Sequence, residues 1–170
     1  LRIAYKNAET GFRSRAHPQE EITEVLDKLR SILHLQNYPR RMECFDISNT
    51  QGNQSVGSLV SFLEGLPDQS NYRRFKIKTV MGPDDFASMR EVLRRRLSHN
   101  TWAKPDLIVI DGGKGQLNAV QAIMQELNVT GIDLISLAKA RDDETEDKVF
   151  LSGRKNPVKF GRNSSQLHLL

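Results

Sequence analysis

The chain has 170 residues, a formal net charge of +4 at pH 7 and a hydrophobic content of 38%. That length predicts one domain with a sizeable core, and the mild positive charge permits a polyanionic partner without requiring one. The single cysteine excludes an internal disulfide and a multi-cysteine zinc site, and it favours a reducing, cytoplasmic setting. No apolar run approaches the roughly 18 residues that a membrane span needs, so we expect no membrane as a partner.

Residues 1–40 are predicted to form a helical extension ahead of the main domain, which takes up residues 41–170. Residues 1–12 carry a short helical pattern, and a cationic linker follows. Pro18 is well placed as the first residue of a helix, because proline lacks the N–H group that would be unpaired there. Apolar side chains then recur at helical spacing, which predicts an amphipathic helix over residues 18–35.

Three strands joined by short turns are predicted next, and this arrangement is typical of a meander. The first strand covers residues 42–48, where alternation places Asp46 on the same face as Cys44. An aspartate within a strand is unusual, because a buried carboxylate is costly unless it is paired or binds a metal. The second strand covers residues 55–64 and the third residues 71–80, where cationic and apolar side chains alternate.

A helix and a buried strand follow, and each carries acidic residues at one end. Asp84 and Asp85 lie in the first turn of the helix, where acids complement the helix dipole. Residues 107–110 are apolar and predict a strand buried on both faces, so that Asp111 lies at its carboxyl end. Open α/β sheets place their functional sites at such ends. The predicted core stripe of the helix consists of Phe86, Met89, Leu93 and Leu97.

A glycine-rich turn follows Asp111 and leads into another helix. The segment Gly112-Gly113-Lys114-Gly115 lets the backbone turn tightly and approach a ligand closely. The helix is predicted at residues 117–127, the next strand at 132–138, and a short hairpin between residues 148 and 160. The simpler interpretation of Asp111 is a cap in a strand-to-helix turn, and this alternative stays open.

The order of these elements predicts an α/β domain with a five-stranded mixed sheet flanked by helices. The first strand and the strand that ends at Asp111 would be parallel central neighbours. Asp46 and Asp111 would then come together, and Asp85 at the start of the intervening helix would face the same spot. Asp85 is preferred to Asp84 as a ligand, because Asp84 is better placed as a first-turn acid, and a capping role stays open for both. Hydrogen-bonded structural roles for these aspartates are the competing interpretation.

Carboxylates that converge in this way suit a hard cation. Two unit charges about 4 Å apart repel by roughly 4 kcal/mol at an effective dielectric constant near 20. Mg²⁺ or Mn²⁺ removes this cost and prefers oxygen ligands. Two such ions about 3.5 to 4 Å apart can clamp the attacking and leaving oxygens of a phosphodiester. The sequence therefore predicts a metal site at Asp46, Asp85 and Asp111.

Cationic residues cluster in two stretches near this predicted site. They are Arg73, Arg74, Lys76 and Lys78 on the third strand, and Arg94, Arg95 and Arg96 on the helix that follows. Such residues either hold the phosphates of a nucleic acid or form an ordinary solvated face. Lys114, in the glycine-rich turn beside Asp111, is the best single candidate for contact with a reacting phosphate.

Three segments of the chain resemble the UvrC family, and the similarity extends over nearly all of the sequence. UvrC is the bacterial excinuclease subunit that cuts DNA beside a lesion. The segments are MECFDIS (42–48), YRRFKIKTVMGPDDFASMREVLRRR (72–96) and DLIVIDGGKGQLNA (106–119). The resemblance implies the carboxyl-terminal endonuclease domain of the family, which has a ribonuclease H-like fold. It also implies incision of damaged double-stranded DNA on the 5′ side of the lesion with a divalent metal.

The resemblance also assigns individual residues. The aspartates of the family's FDIS and DGGKGQ motifs fall on Asp46 and Asp111, and the second acid of its GxDD motif falls on Asp85. The family uses a further histidine in a later stretch resembling IRDEAHRFA. This sequence ends before that stretch, which leaves the activity of the fragment open.

Partners are implied in the same way. The resemblance implies DNA contacts for some of the cationic residues, and UvrB as a partner through parts of the full protein outside this chain. We expect the fragment itself to be a monomer.

Two other functions compete with a metal-dependent endonuclease. The first is a non-catalytic nucleic-acid-binding or scaffolding module on the same fold. The second is a nucleotide-binding domain that uses the glycine-rich turn as a phosphate loop. It is the weaker one, because Lys114 is followed by Gly115 and the G-x-x-x-x-G-K-[ST] spacing is absent. Metal-dependent nicking of DNA separates the endonuclease from both.

Overall fold

The structure, a computed structural model, describes residues 18–50, 54–80, 82, 84–99, 101–140, 146–161, 164, 165, 167 and 170. The predicted helical pattern at residues 1–12 and the cationic linker after it lie outside these residues. Within the described ranges, none of the helices is long and apolar enough to cross a membrane.

Helices and strands follow one another along the chain in the predicted order. The helices are α1 (Pro18–Leu33), α2 (Asp85–Leu97) and α3 (Lys114–Glu126). The first four strands are β1 (Arg41–Thr50), β2 (Gln54–Leu63), β3 (Leu66–Pro67) and β4 (Arg73–Lys76). The remaining strands are β5 (Leu107–Asp111), β6 (Asp133–Ala138), β7 (Glu146–Leu151) and β8 (Val158–Gly161).

One mixed sheet contains all of these strands. Its order is β3-β2-β1-β5-β6-β7-β8, and β4 pairs with β2 outside this path. The β1–β5 and β5–β6 pairs are parallel, whereas the other pairs are antiparallel. The predicted α/β domain, with a mixed sheet and helices beside it, is confirmed. The predicted number of five strands is wrong, because the sheet has eight strands in the described residues.

Local features account for the additional strands. The hairpin of β7 and β8 continues the sheet, since β7 pairs with β6, and β3 adds two residues beside the end of β2. The predicted third strand is also shorter than expected, because β4 ends at Lys76. The chain leaves the sheet there, where the backbone N–H groups of Lys78 and Thr79 donate to the Glu91 carboxylate at 2.9–3.0 Å.

Helix α1 packs against one face of the sheet. Its apolar side chains join Met42 of β1 and Leu107 and Val109 of β5 in one hydrophobic cluster, the α1-side core. The buried helix residues in this core are Ile22, Val25, Leu26, Leu29 and Leu33. The division of the chain at residue 40 stays a prediction, although α1 and the sheet share a core.

Helices α2 and α3 cover the opposite face. The buried side chains of this second core include Met89, Val92 and Leu93 of α2, Leu117, Val120 and Ile123 of α3, and Phe45, Ile108 and Ile110 of the sheet. Because successive residues of a strand point to opposite faces, β1 and β5 supply both cores. Gly57 of β2 lets α2 approach closely, since a Cβ at this position would lie 2.4 Å from Val92 Cγ2.

The predicted core stripe of α2 is confirmed for Met89 and Leu93 and is wrong for Phe86. The Phe86 side chain is 48% exposed. Phe86 lies in the first turn of α2, where its ring packs against Gly115 of α3 instead of the sheet.

A buried ion pair joins α2 to β1. Arg96 Nε donates to Glu43 Oε2 at 2.8 Å, and Arg96 Nη2 donates to Glu43 Oε1 at 2.6 Å. The same Nη2 group donates to the carbonyl oxygen of Ala103 at 2.6 Å. Only 4% of Glu43 and 3% of Arg96 is exposed, so each charge depends on the other for compensation. Arg96 therefore holds α2 on the sheet and is not available to a phosphate.

Replacing Arg96 by alanine is expected to lower the free energy of unfolding by about 3–5 kcal/mol, because the Glu43 carboxylate would stay buried without a partner. Arg94→Ala is the matched control, since Arg94 pairs with Glu126 at the surface and exposed pairs contribute about 0–1 kcal/mol. Urea denaturation of both variants measures the difference. Similar losses would show that the buried pair is not the main connection between α2 and the sheet.

The turn between β5 and α3 depends on Gly112. Its φ of +152° belongs to a region that glycine adopts far more readily than other residues. Gly112 N donates to the carbonyl oxygen of Leu137 at 2.9 Å. Gly113 N donates to Gln116 Oε1 at 3.1 Å, and Gly113 is the N-cap of α3. Asp111 is therefore the last residue of β5 and not the helix cap, so the simpler interpretation of this residue is wrong.

We expect Gly112→Ala to destabilise the protein by about 1–3 kcal/mol, because a side chain would strain the backbone at this φ. The added Cβ would also lie 2.8 Å from Gln116 Cδ. Gly113→Ala serves as the control, since its φ is −91° and its Cβ would come no closer than 4.0 Å to Gln116 Oε1. We expect a smaller loss there, measured by urea unfolding. Equal losses would mean that capping, and not the φ of Gly112, governs the turn.

Candidate functional site

The register of β1 and β5 brings Asp46 and Asp111 to neighbouring positions. Parallel pairing continues up to Phe45, which lies beside Ile110, and the next residue of each strand is an aspartate. Strands that are parallel and in register direct the side chains of one row to the same face. The predicted adjacency of these two strands is confirmed. The role of the aspartates as metal ligands stays a prediction.

Both aspartates belong to the face of the sheet that α1 covers. The residues two positions earlier, Cys44 and Val109, pack in the α1-side core, and alternation gives the aspartates the same direction. Asp46 is half-buried. Among the residues that the structure describes, no donor contacts its carboxylate. A structural role at this position would need such a donor, so the competing interpretation of Asp46 has no support in the described contacts.

Asp111 has a cationic neighbour that the sequence analysis missed. Lys139 Nζ lies 3.2 Å from Asp111 Oδ2, and the two side chains are 72% and 44% exposed. The signal was present in the sequence, because Lys139 directly follows β6. That strand pairs in parallel with β5 and places Leu137 beside Asp111, so the carboxyl ends of the two strands meet. The charge of Asp111 is thus paired with that of an exposed lysine and not with a buried one.

The acids of α2 are placed differently. Asp84 is the N-cap of the helix, and its Oδ1 accepts from Ala87 N at 2.9 Å. The capping role that the sequence left open applies to Asp84, whereas the first-turn acid is Asp85 and not Asp84. Asp85 is exposed in the first turn, and α2 packs on the face of the sheet opposite to Asp46 and Asp111. Within the described ranges, no group of three His, Cys, Asp or Glu side chains is close enough to hold a metal ion. The register therefore pairs two aspartates, and the contribution of Asp85 stays a prediction.

A row of residues connects Asp46 to the cationic strand β4. Asp46 pairs with Ser58 of β2, and Ser58 pairs with Arg74. At a spacing of about 4.8 Å between strands, the Cα atoms of Asp46 and Arg74 are about 10 Å apart. Lys76 follows on the same face, and both cationic side chains are exposed. Phe75 of β4 is buried on the other face, which confirms the predicted alternation of this strand.

The other cationic residues considered in the sequence lie elsewhere. Arg73 is on the opposite face, where its Nη1 donates to the carbonyl oxygens of Ser70 and Tyr72 at 2.8 Å and its guanidinium lies 5.1 Å from the centre of the Trp102 ring. Arg94 pairs with Glu126. DNA contacts of these residues stay predictions.

Three further candidates also have local contacts. Arg95 donates to the carbonyl oxygen of Lys76 at 2.8 Å. Lys114 Nζ donates to the carbonyl oxygen of Lys155 at 3.3 Å. The side chain of Lys78 is exposed beyond the end of β4. Of the predicted cations, Arg74 and Lys76 therefore share the face of Asp46 within the sheet, and the roles of all of them in binding stay predictions.

Cys44 lies in the same strand as Asp46, and its thiol is protonated and unreactive. Burial raises the pKa of its thiol to about 12, and the negative charges of Glu43 and Asp111 add to this effect. At neutral pH the group is a thiol and not the thiolate that a nucleophile or metal ligand requires. The raised pKa therefore argues against a nucleophilic role for Cys44.

Comparison with known proteins gives one family. Residues 30–170 match the UvrC RNase H endonuclease domain. The protein named UvrABC system protein C of Geobacter metallireducens is 48% identical over 182 residues, which cover 100% of this chain and 30% of that protein. The protein of the same name from Syntrophotalea carbinolica is 45% identical, over 99% of this chain and 29% of that protein. The chain thus spans less than a third of the length of these relatives.

Solved structures give a more distant likeness. Endonuclease V of Ciona intestinalis, in a crystal with inosine-containing DNA, has a TM-score of 0.46 and 13% identity, over 81% of this chain and 74% of that one. This likeness is too weak to support a conclusion about the chain, whereas the family match covers most of its residues and its relatives share nearly half of their aligned residues with it. The chain therefore belongs to the family of UvrC RNase H endonuclease domains.

Proposed function

We propose that this chain provides the metal-binding carboxylates of a nuclease that hydrolyses phosphodiester bonds in damaged double-stranded DNA with Mg²⁺ or Mn²⁺ and cuts on the 5′ side of a lesion. The observation that carries the proposal is the paired position of Asp46 and Asp111 on one sheet face, in a row with Arg74. Relatives of the chain are named as components of the UvrABC system. We place contacts with UvrB in parts of the full protein outside this chain.

The two aspartates fit a hard divalent cation in their chemistry. Mg²⁺ is commonly held by one or two carboxylates, and water and substrate phosphates complete its octahedral shell. Among the described residues, Asp46 has no donor and Asp111 has the exposed Lys139 as its one cationic partner. Asp46 and Asp111 would therefore hold the ion, with Asp85 as a further candidate. When bound, such an ion supplies an activated water and neutralises charge that develops on the phosphate.

The chain's own residues bind and orient the DNA strand in this proposal. Arg74, about 10 Å from Asp46 and two strands away on the same face, holds a phosphate, and Lys76, two residues further along β4, holds another. Lys139 moves from Asp111 to a phosphate oxygen of the substrate, because its exposed side chain has room to turn. Gly112 places a residue without a side chain directly after Asp111, which favours close approach of the sugar-phosphate backbone there.

A non-catalytic nucleic-acid-binding module is the second candidate function. The specific observation in its favour is that the described residues hold no group of three potential metal ligands. Such a module would keep the contacts of Arg74 and Lys76 with phosphate and lose the metal-dependent chemistry. Activity and metal binding therefore separate the two candidates.

The proposed function is tested by nicking of supercoiled plasmid that carries lesions. A chain extended past Leu170 through the histidine-bearing stretch of the family should nick it with Mn²⁺ and not with chelator. Asp46→Asn and Asp111→Asn should each lower the rate by at least about 100-fold, since ligands that act jointly are lost together. Asp27→Asn, an exposed acid of α1, should keep the parent rate. Undiminished nicking by Asp111→Asn would contradict the proposal.

Metal binding is tested on the chain itself by thermal unfolding. Millimolar Mn²⁺ should raise the Tm of the parent by several degrees, because an ion that binds the folded state stabilises it by mass action. Asp46→Asn should gain less from Mn²⁺. In chelator it should melt at or above the parent temperature, since one of two neighbouring negative charges is removed.

Asp27→Asn is again the control, and it should show the full Mn²⁺ shift. A chelator Tm well below that of the parent for Asp46→Asn would indicate a structural carboxylate instead. Equal Mn²⁺ shifts in the parent and in Asp46→Asn would exclude Asp46 as a ligand.

A further inference from the structure

Phe86 is a large exposed aromatic residue beside the turn that carries Asp111. Its side chain is 48% exposed, the highest value among the exposed large hydrophobic residues of the described chain. The ring lies against the first turn of α3, where a Cβ built on Gly115 would be 3.3 Å from Phe86 Cζ and 3.4 Å from Cε1. One side of the ring is thus supported by glycine, and much of the ring is open to solvent.

Each of the two residues at this contact is unfavourable for stability at its own position. An exposed phenylalanine in the first turn of α2 buries little apolar surface, and a glycine within α3 costs helix stability relative to alanine. Each allows the other, because an alanine at position 115 would meet the ring at closer than ordinary contact distance. Sequences tend to break local rules in this way at functional sites. The pair therefore points to a use for the exposed ring.

The Phe86 ring lies close to the proposed DNA site at Asp111. Gly115 is four residues beyond Asp111, and four residues of extended chain span at most about 14 Å. A DNA strand advances about 3.4 Å per nucleotide. Helix α2 packs on the face opposite to Asp111, but the Phe86 ring contacts Gly115, which follows Asp111 just beyond the end of β5. The ring is therefore within about six nucleotides of a phosphate held at Asp111. Lys114, next to Gly115, adds positive charge beside it, which suits a polyanion better than an apolar partner.

We propose that the open face of Phe86 stacks on a base that is displaced from the duplex within a few nucleotides of the incised phosphate. The occupant is an unpaired nucleobase, and the proposal rests on the proposed function because it needs DNA at Asp46 and Asp111. Stacking on an aromatic ring is tolerant of sequence, since every base has a π-face. A site of this kind selects DNA whose pairing is already disturbed and does not select a particular base.

Binding to two DNA probes tests the proposal with the chain as it is. The probes are a fully paired duplex and the same duplex with a short unpaired bubble, both measured by fluorescence anisotropy at low salt. Phe86→Ala should weaken binding to the bubble by about 5- to 150-fold, the range for loss of one stacked base, and binding to the duplex by less than twofold. Phe86→Trp should keep the bubble affinity, because it retains an aromatic face.

Three further variants sharpen the comparison. Phe86→Leu keeps an apolar side chain without a π-face and should lose most of the bubble preference. Leu66→Ala is the matched control, since Leu66 is a 45% exposed apolar residue on β3 at an edge of the sheet, and it should bind both probes like the parent. Gly115→Ala should weaken bubble binding by displacing the ring, and it should add nothing to Phe86→Ala in the double variant.

The outcomes separate this proposal from the proposed function. Parent affinity for the bubble in Phe86→Leu, or equal weakening on both probes in Phe86→Ala, would overturn the stacking role. A third outcome would overturn the stacking role alone. In it, the affinity for both probes depends on salt, is lower in Arg74→Ala than in the parent, and is unchanged in Phe86→Ala. A parent chain that binds neither probe at low salt would overturn both proposals.

Discussion

The parallel pairing of β1 with β5 determines where every other part of the site lies. Each strand is enclosed by a core on both of its faces, so a shift of one residue would move the buried side chains of both cores to the wrong side. That constraint is what holds Asp46 and Asp111 in one row. The energy that fixes the two carboxylates comes from the apolar residues that precede them and not from contacts of the carboxylates themselves.

The ion pairs of the molecule are of two kinds: enclosed pairs that stabilise the fold, and exposed pairs whose side chains can exchange partners. The Glu43–Arg96 pair is enclosed and connects α2 to β1, whereas the Lys139–Asp111 pair is exposed and contributes little to stability. An enclosed pair cannot exchange its partner without a large loss, but an exposed one exchanges easily with solvent or substrate. The face of Asp46 and Arg74 therefore has charge that a polyanion can use without disturbing the fold.

The sequence predicted the centre of the fold because period-two alternation and an uninterrupted apolar strand are strong local signals. The same reasoning placed Asp46 and Asp111 together, since parallel neighbours end at the same edge. The sequence did not show that Arg96 is buried and Arg94 exposed. The burial of Arg96 depends on Glu43, which lies 53 positions away in the chain. Phe86 has the spacing of a core residue, yet its position in the first turn of α2 directs it to Gly115. Lys139 was missed although it directly follows a predicted strand, because its place beside Asp111 depends on that strand being the parallel neighbour of β5.

The pairing of β1 extends beyond that of β5, and this difference gives the two aspartates unequal surroundings. Strand β1 pairs with β2 over all ten of its residues, from Arg41 to Thr50, so Asp46 stands within a continuous ladder. Asp111 closes its strand and is followed at once by the Gly112 turn. Pairing therefore continues past Asp46 on β1 for four more residues, whereas past Asp111 it continues only through the bond from Gly112 N to the carbonyl oxygen of Leu137. In the proposed metal site, Asp46 would thus be a ligand from the middle of a strand, and Asp111 a ligand from the last residue before a turn.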